Sequence, residues 1–194
     1  MSRPTLGKLK YLKSETSPER LGPCAAEAAL VGRSNVGKSS LINALGGEAL
    51  ARVSGTPGRT RAINVYADAD RWLVDLPGYG YVQGAREERA GWGGMIEGYL
   101  TRRESLRMVF ALVDAKVGAT RLDLEMLRWL QGRGLPWRVV ATKADQVKAS
   151  RSAAQRREIA SALGVQPERV FWVSAAENLG IGELRGEVAA LLAG

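Results

Sequence analysis

Histidine is absent from the 194 residues, which excludes Ser-His-Asp and Cys-His catalysis and every histidine-ligated metal centre. Any chemistry rests on other groups. A single cysteine, Cys24, allows neither an internal disulfide nor a multi-cysteine zinc site, so the chain suits a reducing compartment and the cytoplasm is its expected location. Apolar runs reach only the length of Met108–Val113, far below the roughly 18 residues of a membrane-spanning helix. Met1–Lys13 alternates charge with apolar residues and shows no secretory core, so no membrane is expected. Aromatic residues make up 6% and form no alternating run with basic ones, which argues against a single-strand stacking platform. Internal repeats, low-complexity tracts and linkers are also missing, and one domain follows.

What is present is a chain 45% hydrophobic, enough for a core, with 28 basic against 20 acidic residues and a net charge of +8 that points to an anionic partner. Short β-branched or aliphatic runs alternate with helical patterns, the mark of a mostly parallel sheet wrapped by helices. Strands are expected at Ala28–Val31, Ile63–Tyr66, Trp72–Asp75, Arg107–Val113, Arg138–Thr142 and Arg169–Val173. Helices are expected at Lys38–Leu45, Glu87–Arg103, Arg121–Arg133, Ser152–Leu163 and Ile181–Leu192. In the third helix Leu122, Met126, Leu127 and Leu130 fall on one face. The link between Ile63–Tyr66 and Trp72–Asp75 is too short for a parallel crossover, so that pair reads as an antiparallel hairpin with one strand against the rest. Lys8–Lys13 could add an edge strand to the N-terminal extension, residues 1–22, ahead of the main domain at 23–194.

After the first strand stands Gly32-Arg33-Ser34-Asn35-Val36-Gly37-Lys38-Ser39, the pattern G-x-x-x-x-G-K-S, running into an apolar helix start. The glycines let backbone N–H groups curl round a pyrophosphate while the helix N-terminus points its positive end at the same anion. Lys38 supplies a point charge to the outer phosphates, and the Ser39 hydroxyl suits Mg²⁺. The ordinary alternative is a glycine turn capped by Ser39. ATP and GTP are not separated by this loop.

Thr142-Lys143-Ala144-Asp145 separates them. A carboxylate there accepts paired hydrogen bonds from the N1–H and 2-amino group of guanine, which adenine does not offer. Lys143 can lay its stem along the base, and Ser174-Ala175-Ala176 would present N–H groups to the guanine O6. Asp75-Leu76-Pro77-Gly78, a D-x-x-G at a strand end, places Asp75 to hold a Mg²⁺-bound water and the Gly78 N–H to meet a γ-phosphate. Between the two lies Ser54–Arg61, where Thr60, preferred over Thr56, could complete the Mg²⁺ shell. Loss of the γ-phosphate would release both segments.

With these segments in order, the chain resembles the translation-factor-like P-loop GTPases, and specifically the EngB family of ribosome-biogenesis GTPases. The motifs that carry the likeness are Gly32–Ser40, Thr56–Thr60, the double-tyrosine D-L-P-G-Y-G-Y at Asp75–Tyr81, and Thr142–Asp145. The resemblance implies a three-layer α/β G domain and GTP-dependent work in large-subunit assembly, with a link to growth or division in some bacteria. It also implies Gly32, Arg33, Ser34, Asn35, Val36, Gly37, Lys38, Ser39 and Ser40 on the phosphates. Gly58, Arg59, Thr60, Arg61 and Ala62 fall in the first switch, and Asp75, Leu76, Pro77 and Gly78 at the γ-phosphate. Thr142, Lys143, Ala144 and Asp145 with Val173, Ser174 and Ala175 surround guanine. Where the family commonly has Lys after the base-reading Asp, this chain has Gln146.

Catalysis would consist of positioning and charge neutralisation for in-line attack by water, with Lys38, Thr60, Asp75 and Gly78 carrying it. Tyr79 stands where Ras-like enzymes use Gln, so slow intrinsic turnover and stimulation by a partner are expected. Asn35 could hold a K⁺ ion near the phosphates, or could equally serve a left-handed backbone position; Arg59 and Arg61 are alternative charge donors. Basic clusters at Lys8, Lys10 and Lys13, at Arg102, Arg103 and Arg107, and at Arg151, Arg156 and Arg157 suit a polyanion such as ribosomal RNA. The glycine-rich Gly84–Gly98 stretch, with Trp92 as an anchor, is expected to move and to form a docking surface. A small-molecule kinase and a non-hydrolysing RNA-binding scaffold are the competing readings, and nothing in the sequence demands more than a monomer.

Overall fold

The computed structural model describes residues 4–52, 62–79 and 86–194, with the side chains of 86–93 left aside. Seven strands form one sheet: β1 (Lys10–Glu15), β2 (Ala26–Gly32), β3 (Ile63–Asp68), β4 (Arg71–Asp75), β5 (Leu106–Asp114), β6 (Trp137–Thr142) and β7 (Val170–Trp172), in the spatial order β1-β3-β4-β2-β5-β6-β7. β3 runs antiparallel to both of its neighbours and every other pairing is parallel. The hairpin expected from the short link is therefore present, and β3 is the strand that opposes the rest.

Among the described residues five helices cover the sheet: α1 (Lys38–Gly46), α2 (Arg86–Arg102), α3 (Arg121–Gly132), α4 (Ala149–Leu163) and α5 (Ile181–Ala193). Successive strand residues face opposite sides, and the β2 run Ala28, Ala29, Leu30, Val31 is buried throughout because both sides are covered. Ala28 and Leu30 pack with Leu41, Ile42 and Leu45 of α1 and Leu184, Val188 and Leu192 of α5. Ala29 and Val31 pack on the other side with Tyr99 and Leu100 of α2, Met126 and Leu130 of α3, and Ile159 and Ala160 of α4. Three layers result, with the helices split two and three.

Two local expectations are corrected. The inward face of α3 is Asp123, Met126, Leu127 and Leu130, whereas Leu122 is exposed. A capping box between Thr120 and Asp123 pins the first turn and rotates Asp123 inward in place of Leu122. The edge strand begins at Lys10 and not at Lys8, and a bulge between Tyr11 and Lys13 breaks the alternation so that Tyr11 and Leu12 are both exposed. Leu9, ahead of the strand, is fully buried.

A buried acid fastens the end of α2 to the sheet. Glu27 of β2 is inaccessible and receives Tyr99 Oη, Ser105 Oγ and the guanidinium of Arg103, whose Nε lies 2.7 Å away. Burial also pushes the neighbouring Cys24 thiol up to about 11, which keeps it protonated and unreactive. Arg103, assigned above to a basic surface cluster, is thus an internal anchor. Replacing Glu27 with Ala leaves the Arg103 charge and the Tyr99 hydroxyl without their acceptor. Urea titration should show a loss of about 3 kcal/mol, and an unchanged midpoint would contradict the anchor.

Candidate nucleotide site

β2, β4, β5 and β6 are parallel, so their last residues lie along one edge of the sheet, where the motif residues gather. Leu30 pairs with Asp75, Gly32 with Leu112, and Asp114 with Thr142. Such an edge is where ligands of open α/β sheets bind.

The loop after β2 turns through two left-handed residues, Asn35 at φ 64° and Gly37 at φ 104°. Gly37 precedes α1, and no side chain caps that helix, so its first-turn amides are placed to receive an anion. Lys38 is buried, with Nζ 3.3 Å from the Gly32 carbonyl. The far side of the loop is held by the base-reading segment: Thr142 Oγ1 donates to the Val36 carbonyl at 2.5 Å, and Lys143 Nζ to the Asn35 carbonyl at 2.7 Å.

Asp75 ends β4 in full burial, and among the described residues its Oδ1 has no hydrogen-bond partner. Burial raises its carboxyl to about 6, with the Lys38 charge and a hydrogen bond from Asn64 pulling the other way. Burial likewise lowers the Lys38 amine, and Asp75 partly restores it. A desolvated carboxylate oxygen without a donor, next to a phosphate loop carrying the half-buried hydroxyl of Ser39, fits a hard cation or its bound water.

Past Asp75 the chain folds back onto the loop. Tyr79 N donates to the Gly32 carbonyl (3.2 Å) and Ser34 N to the Tyr79 carbonyl (3.0 Å). A Cβ on Gly78 would stand 3.0 Å from Ser34 N and 3.1 Å from its Cα, so any larger residue would push this loop backbone away by a few tenths of an ångström. The Tyr79 side chain is buried, and its hydroxyl donates to Asp123 Oδ1 at 3.0 Å. Asp123 also takes Arg33 Nε at 3.2–3.3 Å and the Thr120 amide and hydroxyl. Arg33 therefore joins the site through its backbone, while its side chain is committed to α3.

At the opposite end, Ala144 N donates to the Val173 carbonyl (3.0 Å), and Ser174 Oγ donates to Asp145 Oδ1 (2.6 Å), so the two base-reading segments are joined. The Asp145 residue is exposed. Ser174 N is taken by the Leu179 carbonyl at 2.9 Å. Ser174 thus orients Asp145, and the amides left to meet a base oxygen are those of Ala175 and Ala176.

The motif residues within the described regions, Gly32–Ser40, Ala62, Asp75–Gly78, Thr142–Asp145 and Val173–Ala175, all have placed positions; Gly58, Arg59, Thr60, Arg61 and the Trp92 side chain lie outside them. Asn35 does occupy a left-handed position. Two acids escaped sequence reasoning. Asp123 was visible in principle as the fourth residue of a Thr-x-x-Asp capping signal, and Asp114 as a second carboxylate closing a buried strand. Of the basic clusters, Arg156 is turned inward onto the Pro167 and Val170 carbonyls and Lys13 is half-buried near the Trp72 ring, while Lys8, Lys10, Arg102, Arg107, Arg151 and Arg157 stay exposed.

Known proteins agree with this geometry. Residues 27–143, more than half of the chain, match the family model described as 50S ribosome-binding GTPase. A probable GTP-binding protein EngB from Desulfitobacterium hafniense is 42% identical over 97% of this chain and 96% of its own. A crystal structure of a probable GTP-binding protein engB superposes with TM-score 0.68 at 22% identity, covering 87% of this chain and 99% of that one. Aquifex aeolicus Era bound to GDP·AlF4⁻ superposes with TM-score 0.68 at 25% identity, covering 87% of this chain and 57% of that one. A G-x-x-x-x-G-K-S loop held against the end of β6 along one sheet edge, together with these likenesses, places the chain in the EngB family of P-loop GTPases, which bind GTP and hydrolyse it.

Proposed function

We propose that this GTPase is a nucleotide-dependent switch acting on the large ribosomal subunit or its precursor. The observation that carries the nucleotide half is the pair of contacts from Thr142 and Lys143 to the Val36 and Asn35 carbonyls, which sets a base reader at fixed reach from a phosphate cradle. The ribosomal half draws on the family description and on the exposed Lys8, Lys10, Arg102, Arg107, Arg151 and Arg157, whose charge suits a phosphate backbone. A role in growth and division, and a cytoplasmic monomer as the working form, belong to the same proposal.

In this reading Lys38 and the first-turn amides of α1 bind the β- and γ-phosphates. Ser39 and Thr60 would ligate Mg²⁺ and Asp75 would hold one of its waters, the ion neutralising charge that builds up between the phosphates. The Gly78 amide meets the γ-phosphate, and the bonds of the next residue, Tyr79, to Gly32 and Ser34 tie that encounter to the loop. Asp145 accepts the N1–H and 2-amino hydrogens of guanine while Ala175 faces O6. Tyr79 orients no water in this arrangement, because its hydroxyl is bound to Asp123. Intrinsic turnover is accordingly slow, near or below the roughly 10⁻³ s⁻¹ scale of an unassisted small GTPase, and a ribosomal partner, or a K⁺ ion held at Asn35, would supply the missing stabilisation.

Three outcomes check this reading. Asp145→Asn exchanges one acceptor for a donor, so GTP affinity should drop about a hundredfold or more while xanthosine triphosphate, which carries an oxygen at C2, gains; calorimetric affinities for both nucleotides read this directly, and unchanged GTP affinity defeats it. The pH prediction follows from Asp75. Its folded carboxyl is protonated below about 6 and must ionise to serve the cation, so binding of Mg²⁺ and GTP should release up to one proton below that pH and none well above it. Calorimetry in buffers of different ionisation enthalpy measures the release, which Asp75→Asn should abolish. Lastly, sedimentation with large-subunit precursors should depend on whether GDP, a non-hydrolysable GTP analogue or no nucleotide is present, and should weaken steeply from low to moderate salt; nucleotide-blind, salt-insensitive association would refute the ribosomal half.

A further inference from the structure

We infer that Asp114 is a positioning residue for nucleotide retention, acting through Lys143 to keep the base reader and the phosphate loop in register. This inference rests on the reading of Lys143 and Asp145 as part of the guanine site. Asp114 closes β5, is buried, and pairs in register with Thr142 at the end of β6. Both of its carboxylate oxygens are engaged. Oδ1 accepts the Lys116 and Val117 amides at 3.0 and 3.1 Å, which fixes the carboxylate plane, and Oδ2 accepts Lys143 Nζ at 2.7 Å.

Lys143 needs such a partner. It sits at φ 57°, a left-handed position costly for a side chain larger than glycine's, and that turn sends its ammonium back towards the phosphate loop. There the same Nζ donates to the Asn35 carbonyl at 2.7 Å, and its Cε would lie 3.9 Å from a Cβ placed on Gly37. One ammonium thus joins three strand ends: the loop after β2, the end of β5 and the segment after β6. A neutral carbonyl alone holds a lysine charge weakly against water, whereas a partly desolvated carboxylate gives a charge-assisted bond. Asp114 supplies the charge that keeps the Lys143 stem stretched beside the base position, and the loop carbonyl is held as a consequence. GDP and GTP share the base and the α- and β-phosphates, so both should be retained less well without it, with their ratio unchanged.

Asp114→Asn keeps an oxygen for the Lys116 and Val117 amides and removes the charge. The dissociation rate of a fluorescent GDP derivative should rise about tenfold in this variant, the ratio of GDP to GTP affinity should stay within twofold, and the nucleotide-free thermal midpoint should move little. In a Lys143→Met background the same substitution should change the rate less than twofold, because its target is gone. An Asp114 that merely shapes its own loop would accelerate release equally in both backgrounds. That result, or an unchanged rate in the otherwise native chain, or a variant that no longer folds, overturns the proposal. Asp145→Asn serves as the reference: if it retains GDP as well as the native chain, the guanine site itself is misread, whereas its failure alongside an unaffected Asp114→Asn rejects only the role of Asp114.

Discussion

Two side chains, at the end of β6 and just past it, grip two consecutive carbonyls of the loop after β2. Thr142 holds Val36 and Lys143 holds Asn35, and the distance between base and phosphate recognition follows from those bonds. A nucleotide is longer than either recognition element, so discrimination requires that the two elements do not drift apart. The parallel sheet brings them to one edge; the side chains then remove the remaining freedom. Preorganisation of this kind converts contact energy into affinity because less ordering remains to be done on binding.

On the other flank the same loop is gripped by the segment after β4. Gly78 and Tyr79 lie against Gly32 and Ser34, and Tyr79 and Arg33 share the Asp123 carboxylate of α3. The loop is therefore fixed from both sides, by Thr142 and Lys143 on one flank and by Gly78 and Tyr79 on the other. Between them stands the buried pair of Lys38 and Asp75, each carrying a charge that burial opposes. Such a pair is costly in the free protein and becomes favourable once polyphosphate and a cation complete the charge balance.

Much of this was legible from residue order. The buried run ahead of Gly32–Ser39 reads as a strand of a covered sheet and the apolar start behind it as a helix, while the short link at residues 67–71 reads as a hairpin. Periodicity placed the five helices to within a few residues, because each has an apolar stripe against a sheet face. It failed at Leu122, where a cap outweighed the apolar pattern, and at the start of the edge strand, placed at Lys8 but beginning at Lys10 with a bulge before Lys13; both are local hydrogen-bond effects that hydrophobic spacing does not register. In the site, Lys38, Asp75 and Asp145 could be read from their motifs, whereas the sequence signals at Asp114 and Asp123 give a local cap or strand end without the partner, and Glu27 in the fold carries no signal at all. Each of these acids also takes a basic or hydroxyl partner from far along the chain, Lys143 for Asp114, Tyr79 and Arg33 for Asp123, and Arg103 for Glu27, pairings that residue order alone does not show.

Base discrimination is the claim on which the remainder depends, and calorimetric comparison of GTP with ATP on the full chain tests it most directly. The geometry predicts binding of GTP and no saturable binding of ATP at concentrations a hundredfold higher, in line with the penalty of leaving a base-reading carboxylate unpaired. Equal affinity for the two nucleotides would contradict the account.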